Sequence, residues 1–114
     1  MLTGIPSTLG DSYQLNTTSM MRHAALTFGE QEVVYRRSDG SWGRSNYAEE
    51  WRRMAQLAHG LSELGVGAGS MVGVLDWNSR RHFELYFAVP GLAATMLQIN
   101  LRLSPEDLAY VVSH

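Results

Sequence analysis

The chain has 114 residues, of which 45% are hydrophobic, and a formal net charge of −2 at pH 7. The apolar fraction excludes a disordered chain, and the charge gives no electrostatic basis for binding nucleic acid or an anionic membrane. Cysteine is absent, which excludes disulfides, thiolate metal sites and cysteine nucleophiles. The sequence therefore predicts one small domain, or a piece of a larger one, without a nucleic-acid partner.

The chain also lacks the sequence features that direct proteins into or across a membrane. No apolar stretch approaches the roughly 20 residues that a transmembrane helix needs. The N-terminus has no basic start followed by an apolar core, as a signal peptide has. We therefore expect a cytoplasmic protein without a transmembrane segment.

Composition divides the chain near residue 16. Residues 1–15 are rich in Gly, Ser, Thr and Pro, which predicts an irregular arm. The segment 16–114 is predicted to be structured. From Met20 to Phe28 apolar residues recur at helical spacing, which predicts a helix packed on the body of the protein. An adaptable binding surface made by its two methionines is the alternative.

The predicted first helix has signals at both ends. Thr17 or Thr18 is placed to cap its start, and Gly29 is placed to stop it. Two strand-like segments follow, on either side of the pair Asp39-Gly40. This dipeptide predicts a β-hairpin, because the turn needs positive φ and glycine adopts it at low cost.

The hairpin is rich in arginine. On a two-stranded ribbon these side chains are expected on the solvated side. An anion-binding patch is the alternative interpretation. The residues concerned are Arg36, Arg37 and Arg44.

The longest predicted helix begins after Asn46, which is a good N-cap, and Glu49 completes the pattern of a capping box. An apolar face runs from Tyr47 to Leu64 at steps of three and four, and Gly65 ends the helix. Three side chains are predicted to point away from this face: Arg52, Arg53 and His59.

The glycine-rich segment from Leu64 to Ser70 invites interpretation as a phosphate loop. In phosphate-binding sites, however, the glycines follow a strand and open a helix. Here they follow a helix and precede a strand, so a helix stop with a tight turn is the better interpretation.

The centre of the chain predicts a parallel β-α-β crossover. Short apolar runs at Met71–Leu75 and Thr95–Ile99 flank a helix-like stretch from Arg80 to about Val89. Such runs, joined by one helix, are typical of parallel strands covered on both faces. Pro90 is expected to end or kink the helix, whose buried stripe is predicted to be Phe83, Phe87 and Tyr86. The fold class is therefore α/β, a partial parallel-sheet core with an N-terminal helix and a β-hairpin.

One acid–base cluster is present near this crossover, formed by Asp76, His82 and Glu84. At helical spacing His82 and Glu84 do not face each other, and no serine is placed as their nucleophile. We therefore predict no catalytic, cofactor-binding or metal-binding residue. The alternative is a small ligand-binding module, with its ligand at the strand edge around Asp76 to Asn78 and Asn100.

A last helix is predicted after Ser104, with Pro105 at its first position and acidic residues in its first turn. Leu108, Val111 and Val112 would form its apolar face. Two parallel strands make a small core for an independent fold. The sequence therefore predicts part of a larger sheet.

Several segments, taken in order, resemble the N-terminal region of AMP-forming acyl-CoA synthetases, and most closely their fatty acyl-CoA ligase branch. Each motif is structural, and it is their order and spacing that carry the likeness. Ala93-Ala94 stands where the family usually has Gly-Ala. The segments are Tyr47-Ala48-Glu49, Leu64-Gly65-Val66, Met71–Leu75, His82–Gly91 and Asn100–Tyr110.

The resemblance implies a fragment of the large N-terminal domain of an enzyme that uses ATP, Mg²⁺ and CoA to convert a fatty acid into acyl-CoA, AMP and pyrophosphate. The family's phosphate loop and catalytic lysine lie downstream, and this chain has no lysine. We therefore expect the fragment to bind none of these cofactors and to act as a scaffold. Its expected partners are the remainder of the parent ligase and a second copy in dimer contacts. A stand-alone binding or self-associating module without catalysis is the alternative.

Overall fold

A computed structural model describes residues 16–114, so the predicted arm at 1–15 lies outside the described residues. Four helices and four strands are found in this part of the chain. They are α1 (Thr17–Thr27), β1 (Glu32–Arg36), β2 (Trp42–Asn46), α2 (Tyr47–Glu63), β3 (Met71–Val74), α3 (Arg80–Gly91), β4 (Thr95–Gln98) and α4 (Pro105–Ser113).

The N-cap of the first helix lies one residue earlier than the first predicted position. Asn16 is the N-cap, and its Oδ1 accepts a hydrogen bond from the backbone N–H of Ser19 at 2.7 Å. The prediction of a threonine cap was wrong, because Asn16 is extended and both threonines already lie inside the helix. Met21 is buried, whereas Met20 and Phe28 are exposed. The predicted apolar face is therefore only partly buried.

Strands β1 and β2 form the predicted antiparallel hairpin, with Tyr35 opposite Gly43. Gly40 has φ of 82° in the turn, and Asp39 accepts a hydrogen bond from the N–H of Ser41 at 2.8 Å. The ring of Tyr35 lies over Gly43, since a Cβ at position 43 would be 2.3 Å from the ring. The absence of a side chain at Gly43 therefore lets the ring lie flat on the hairpin.

Helix α2 has the predicted termini. Asn46 accepts a hydrogen bond from the N–H of Glu49 at 2.9 Å. At the other end Gly65, with φ of 90°, donates to the carbonyl of Ser62, and Val66 donates to that of Leu61. This pair of bonds is a Schellman motif, which uses glycine for the left-handed residue.

The glycine-rich segment after α2 is a tight turn. The N–H of Gly67 donates to Ser70 Oγ at 3.1 Å, and the N–H of Ser70 donates to the carbonyl of Gly67 at 3.0 Å. These hydrogen bonds close the turn on itself. They agree with the interpretation as a helix stop rather than a phosphate loop.

Strands β3 and β4 are adjacent and parallel, with Val72 opposite Met96, and α3 connects them. This is the predicted β-α-β crossover, and the α/β fold class is confirmed. Because the strands are parallel, their carboxyl ends meet at one edge, where Asp76 and Asn100 follow. Two strands are hydrogen-bonded in this sheet, which leaves both of its edges open within the described residues.

Helix α3 ends one residue after Pro90. Ala93 follows with φ of 56°; its N–H donates to the carbonyl of Pro90, and that of Ala94 to the carbonyl of Val89. This is a second Schellman motif, here with alanine in the left-handed position.

The core lies where α1, α2 and α3 pack on each other and where α3 covers the parallel strands. Its buried apolar side chains are those of Met21, Met54, Val74, Ala88, Val89 and Ala94. Helix α4 contributes no buried residue. No helix within 16–114 is long and apolar enough to cross a membrane.

The buried face of α3 differs from the predicted aromatic stripe. Its buried residues are His82, Glu84, Ala88 and Val89, whereas Tyr86 is 40% exposed. The prediction was wrong for Tyr86, whereas Phe83 and Phe87 are half-buried. His82 and Glu84 take buried positions instead, because each has a hydrogen-bond partner inside the fold.

Candidate functional site

The most connected polar group of the described chain is the guanidinium of Arg80, the first residue of α3. Its Nε donates to Glu50 Oε1 at 2.8 Å and its Nη2 donates to Glu49 Oε1 at 2.7 Å. Both carboxylates come from the first turn of α2. Arg80 therefore joins the N-terminal ends of two helices. We call this group, with Tyr35, Arg53 and Glu84, the Arg80 cluster.

The hairpin joins the cluster through Tyr35. Arg80 Nη1 donates to the Tyr35 hydroxyl at 3.1 Å, and the guanidinium carbon lies 4.8 Å from the centroid of the ring. Ser45 on β2 donates its hydroxyl hydrogen to Glu50. The hairpin, α2 and α3 are thus fixed to one another by a single set of polar contacts.

A second arginine completes the cluster. Arg53 on α2 donates to Glu84 Oε1 at 2.5 Å, and Arg80 Nε lies 3.4 Å from the same oxygen. The prediction that Arg53 points away from the packed face was wrong. For the cluster as a whole the signal available in the sequence was Glu50, which lies one helical turn before Met54 on the buried side of α2 and therefore needs a cationic partner, supplied by Arg80.

Electrostatics favour the charged forms of these groups. Burial opposes the charge on Arg80, but hydrogen bonds to Glu50 and Glu49 outweigh it and raise the pKa of Arg80. The hydrogen bond to Glu84 raises the pKa of Arg53. The hydrogen bond from Arg80 lowers the pKa of Glu49 below its ordinary value. Arg80, Arg53 and Glu49 are therefore held in their charged forms, which suits a structural tie and not a proton-transfer group.

A separate cavity of about 370 Å³ lies at the carboxyl edge of β3 and β4, where sequence reasoning located the alternative ligand site. Asp76, Trp77, Asn78 and Asn100 line it, as does His82. The Nδ1 of His82 lies 3.2 Å from the carbonyl oxygen of Trp77, so Nδ1 carries the proton in the neutral ring. Its Nε2 is buried and has no hydrogen-bond partner among the described residues.

The three residues of the acid–base cluster have different partners. Asp76 accepts hydrogen bonds from Ser79 and from the N–H of Trp77, and the ring of His82 stacks on Tyr86 with centroids 5.2 Å apart. Glu84 pairs with arginine. The fold does not bring the three side chains into a hydrogen-bonded relay.

The described residues fit neither a Mg²⁺ site nor a phosphate loop. Within 16–114 there is no group of three or more Asp, Glu or His residues that could hold a metal ion. The glycine turn after α2 is closed by its own hydrogen bonds.

The profile of the family described as AMP-binding enzyme matches residues 21–114. The chain belongs to this family. Within the AMP-binding enzymes it corresponds to the N-terminal region of the acyl-CoA ligases, which confirms the resemblance noted from the motifs.

Two relatives among the AMP-binding enzymes are ligases named for fatty acids. The long-chain-fatty-acid–CoA ligase of Thermus thermophilus is 43% identical over 113 residues, covering 99% of this chain and 21% of the relative. The medium-chain-fatty-acid–CoA ligase of Ectopseudomonas oleovorans is 36% identical over 101 residues, covering 89% of this chain and 18% of the relative. The chain thus spans about a fifth of their length.

A solved structure agrees with these relatives. The N-terminal domain of FACL13 from Mycobacterium tuberculosis superposes with a TM-score of 0.78 and 25% sequence identity. The match covers 88% of this chain and 25% of that one. The fold described above is therefore that of a part of a larger ligase domain.

Proposed function

We propose that this chain is the N-terminal scaffold of an AMP-forming acyl-CoA ligase. The observation that carries the proposal is the 43% identity with the Thermus thermophilus ligase along almost the whole chain. The parallel crossover supports it, because a two-stranded sheet with open edges suits a core completed by further strands.

The exposed apolar side chains support the same role. Met71 on β3 is 68% exposed and Leu75 is 47% exposed, although both follow the pattern of buried strand residues. Trp77, just beyond the strand, is 70% exposed. Such surfaces are expected where another part of a protein packs.

The proposed reaction of the whole ligase is the ATP-dependent activation of a fatty acid to an acyl-adenylate, followed by transfer of the acyl group to CoA. ATP, Mg²⁺ and CoA would be bound by the remainder of the ligase. The proposed location is the cytoplasm. The proposed partners are that remainder and a second copy, since the open sheet edges also suit self-association.

A chimera tests the scaffold proposal. The matching 113 residues of the Thermus thermophilus ligase are replaced by this chain, and acyl-CoA formation from long-chain fatty acids is measured. We expect the chimera to keep activity within about tenfold of the parent, because 43% identity along the exchanged segment favours a core of similar volume and pattern. A folded chimera without activity would contradict the proposal.

Assays of the isolated chain test the proposal that ATP, Mg²⁺ and CoA are bound by the remainder of the ligase. With ATP, Mg²⁺, a panel of fatty acids and hydroxylamine to trap acyl-adenylate, we expect no hydroxamate above background. Adenylation needs fixed cationic groups at the transferred phosphoryl group, and these are proposed to lie in the remainder of the ligase. Turnover by the isolated chain would overturn this.

A stand-alone binding module is the second candidate, favoured by the buried, unpartnered Nε2 of His82 beside the 370 Å³ cavity. If the chain is such a module, it is expected to be a monodisperse monomer in size-exclusion chromatography with light scattering. A small molecule is then also expected to stabilise it saturably in a thermal-shift screen. If the chain is a scaffold fragment, the isolated chain is instead expected to self-associate.

A further inference from the structure

A groove of about 630 Å³ runs between the β-hairpin and the start of α3. Tyr35 and Trp77 give it aromatic walls, and Asp76 is its one acidic lining residue. Five of the nine arginines of the chain line it. They are Arg36, Arg37, Arg53, Arg80 and Arg81.

Contacts within the fold hold two of the hairpin guanidiniums in place. Arg37 Nη1 donates to the carbonyl of Trp42 at 2.8 Å and to Ser41 Oγ at 3.2 Å. The Arg36 guanidinium carbon lies 4.7 Å from the centroid of the Trp42 ring. Because these side chains are positioned in advance, a ligand would spend less conformational entropy in ordering them.

The arginines divide into two sets by their partners. Arg53 and Arg80 are paired with carboxylates of the Arg80 cluster. Within 16–114, no carboxylate lies within 4.0 Å of the guanidiniums of Arg36, Arg37 or Arg81. Asp76 in the lining and Asp39 near Arg37 offset two of these three positive charges, so Arg36, Arg37 and Arg81 keep a local excess of one positive charge.

We propose that this groove binds soluble phosphate-bearing anions, held by Arg37 and Arg81 from opposite walls. Guanidinium groups present paired N–H donors that match phosphate oxygens, and charge-assisted bonds of this kind are stronger than neutral ones. A groove with several guanidiniums suits an anion that carries more than one charge, such as a polyphosphate. This anion site is independent of the scaffold role proposed above, so a failed binding test would leave that role untouched.

The test is calorimetric titration of the full chain with inorganic pyrophosphate at low ionic strength, repeated with the double variant Arg37→Gln/Arg81→Gln. We expect saturable binding and a loss of affinity of about tenfold or more in the variant, because two charge-assisted contacts are removed. The matched control is Arg22→Gln/Arg52→Gln, which removes the same charge from exposed positions outside the groove and is expected to bind as the unaltered chain does.

A second variant and a second measurement separate binding from folding. Arg37→Lys/Arg81→Lys keeps the charge and is expected to recover part of the affinity, with unchanged circular dichroism. On titration with pyrophosphate, the amide chemical shifts of residues 35–38 and 76–81 are expected to change. Equal losses in the groove and control variants, binding only to vesicles that contain phosphatidic acid, or no saturable binding at all would overturn the proposal.

Discussion

Arg80 Nε lies 2.8 Å from Oε1 of Glu50, although 30 positions separate the two residues in the chain. The Glu50 side chain is completely buried, and its Oε2 has no hydrogen-bond partner among the described residues. The stability of this carboxylate inside the fold therefore depends on the guanidinium. Removing one partner of a buried pair is far more costly than replacing both.

The first prediction concerns this pair. Arg80→Met is expected to lower the free energy of unfolding by about 3–5 kcal/mol, or to unfold the chain, because a buried charge is left without its partner. Urea unfolding followed by circular dichroism measures the change. The exposed neighbour provides the control, and Arg81→Met should stay within about 0.5 kcal/mol.

A double variant sharpens this test. Glu50→Leu/Arg80→Met removes the buried carboxylate together with its partner, so it is expected to be more stable than Arg80→Met alone. If the single variant were as stable as the unaltered chain, the Arg80 cluster would have no part in holding the hairpin and the two helices together.

The second prediction is a pH dependence from Glu49. The hydrogen bond from Arg80 lowers its pKa in the folded state below the ordinary 4.5, so its contribution to stability is present above that value and is lost as the pH falls through the folded pKa. Glu49→Gln is expected to flatten the decline of the free energy of unfolding between about pH 5 and pH 3. Glu30→Gln removes an exposed carboxylate outside the cluster, and it should leave the decline as steep as before.

The third prediction concerns the two Schellman motifs. Ala93 has φ of 56°, where a β-carbon is strained, whereas the equivalent residue after α2 is Gly65. Ala93→Gly is expected to raise the free energy of unfolding by about 0.5–1 kcal/mol, the relief of strain exceeding the added backbone entropy. Thermal unfolding measures it. Ala94→Gly, at a buried position without positive φ, should instead destabilise, and stabilisation by both changes would contradict this explanation.

The fourth prediction tests how the Tyr35 ring is positioned. A Cβ at position 43 would lie 2.3 Å from the ring, so Gly43→Ala must displace it and weaken its contacts with Arg80. We expect a loss of about 1–3 kcal/mol, typical of overpacking. Gly67→Ala, where a Cβ meets nothing within 4 Å, is the matched control. An unchanged urea midpoint in Gly43→Ala would show that the ring does not need this glycine.

Local sequence signals predicted most of the element boundaries. Asn46 and Ser104 cap helices as expected, and Gly40 and Gly65 adopt the positive φ that their turns require. Each of these features depends on a few neighbouring residues. The order of short apolar runs likewise predicted the parallel pairing of β3 with β4, since one connecting helix brings them alongside in the same direction.

The sequence by itself determined the α/β class, the parallel crossover and the family, because periodicity, caps and motif order are properties of contiguous residues. Only the tertiary structure decided that Arg53 pairs with Glu84, that Glu84 is buried and that five arginines share one groove. Residues that meet in and around the Arg80 cluster are up to 45 positions apart in the chain, as Tyr35 and Arg80 are. Burial of a charge depends on where its counter-charge lies in space, and no local pattern records that distance.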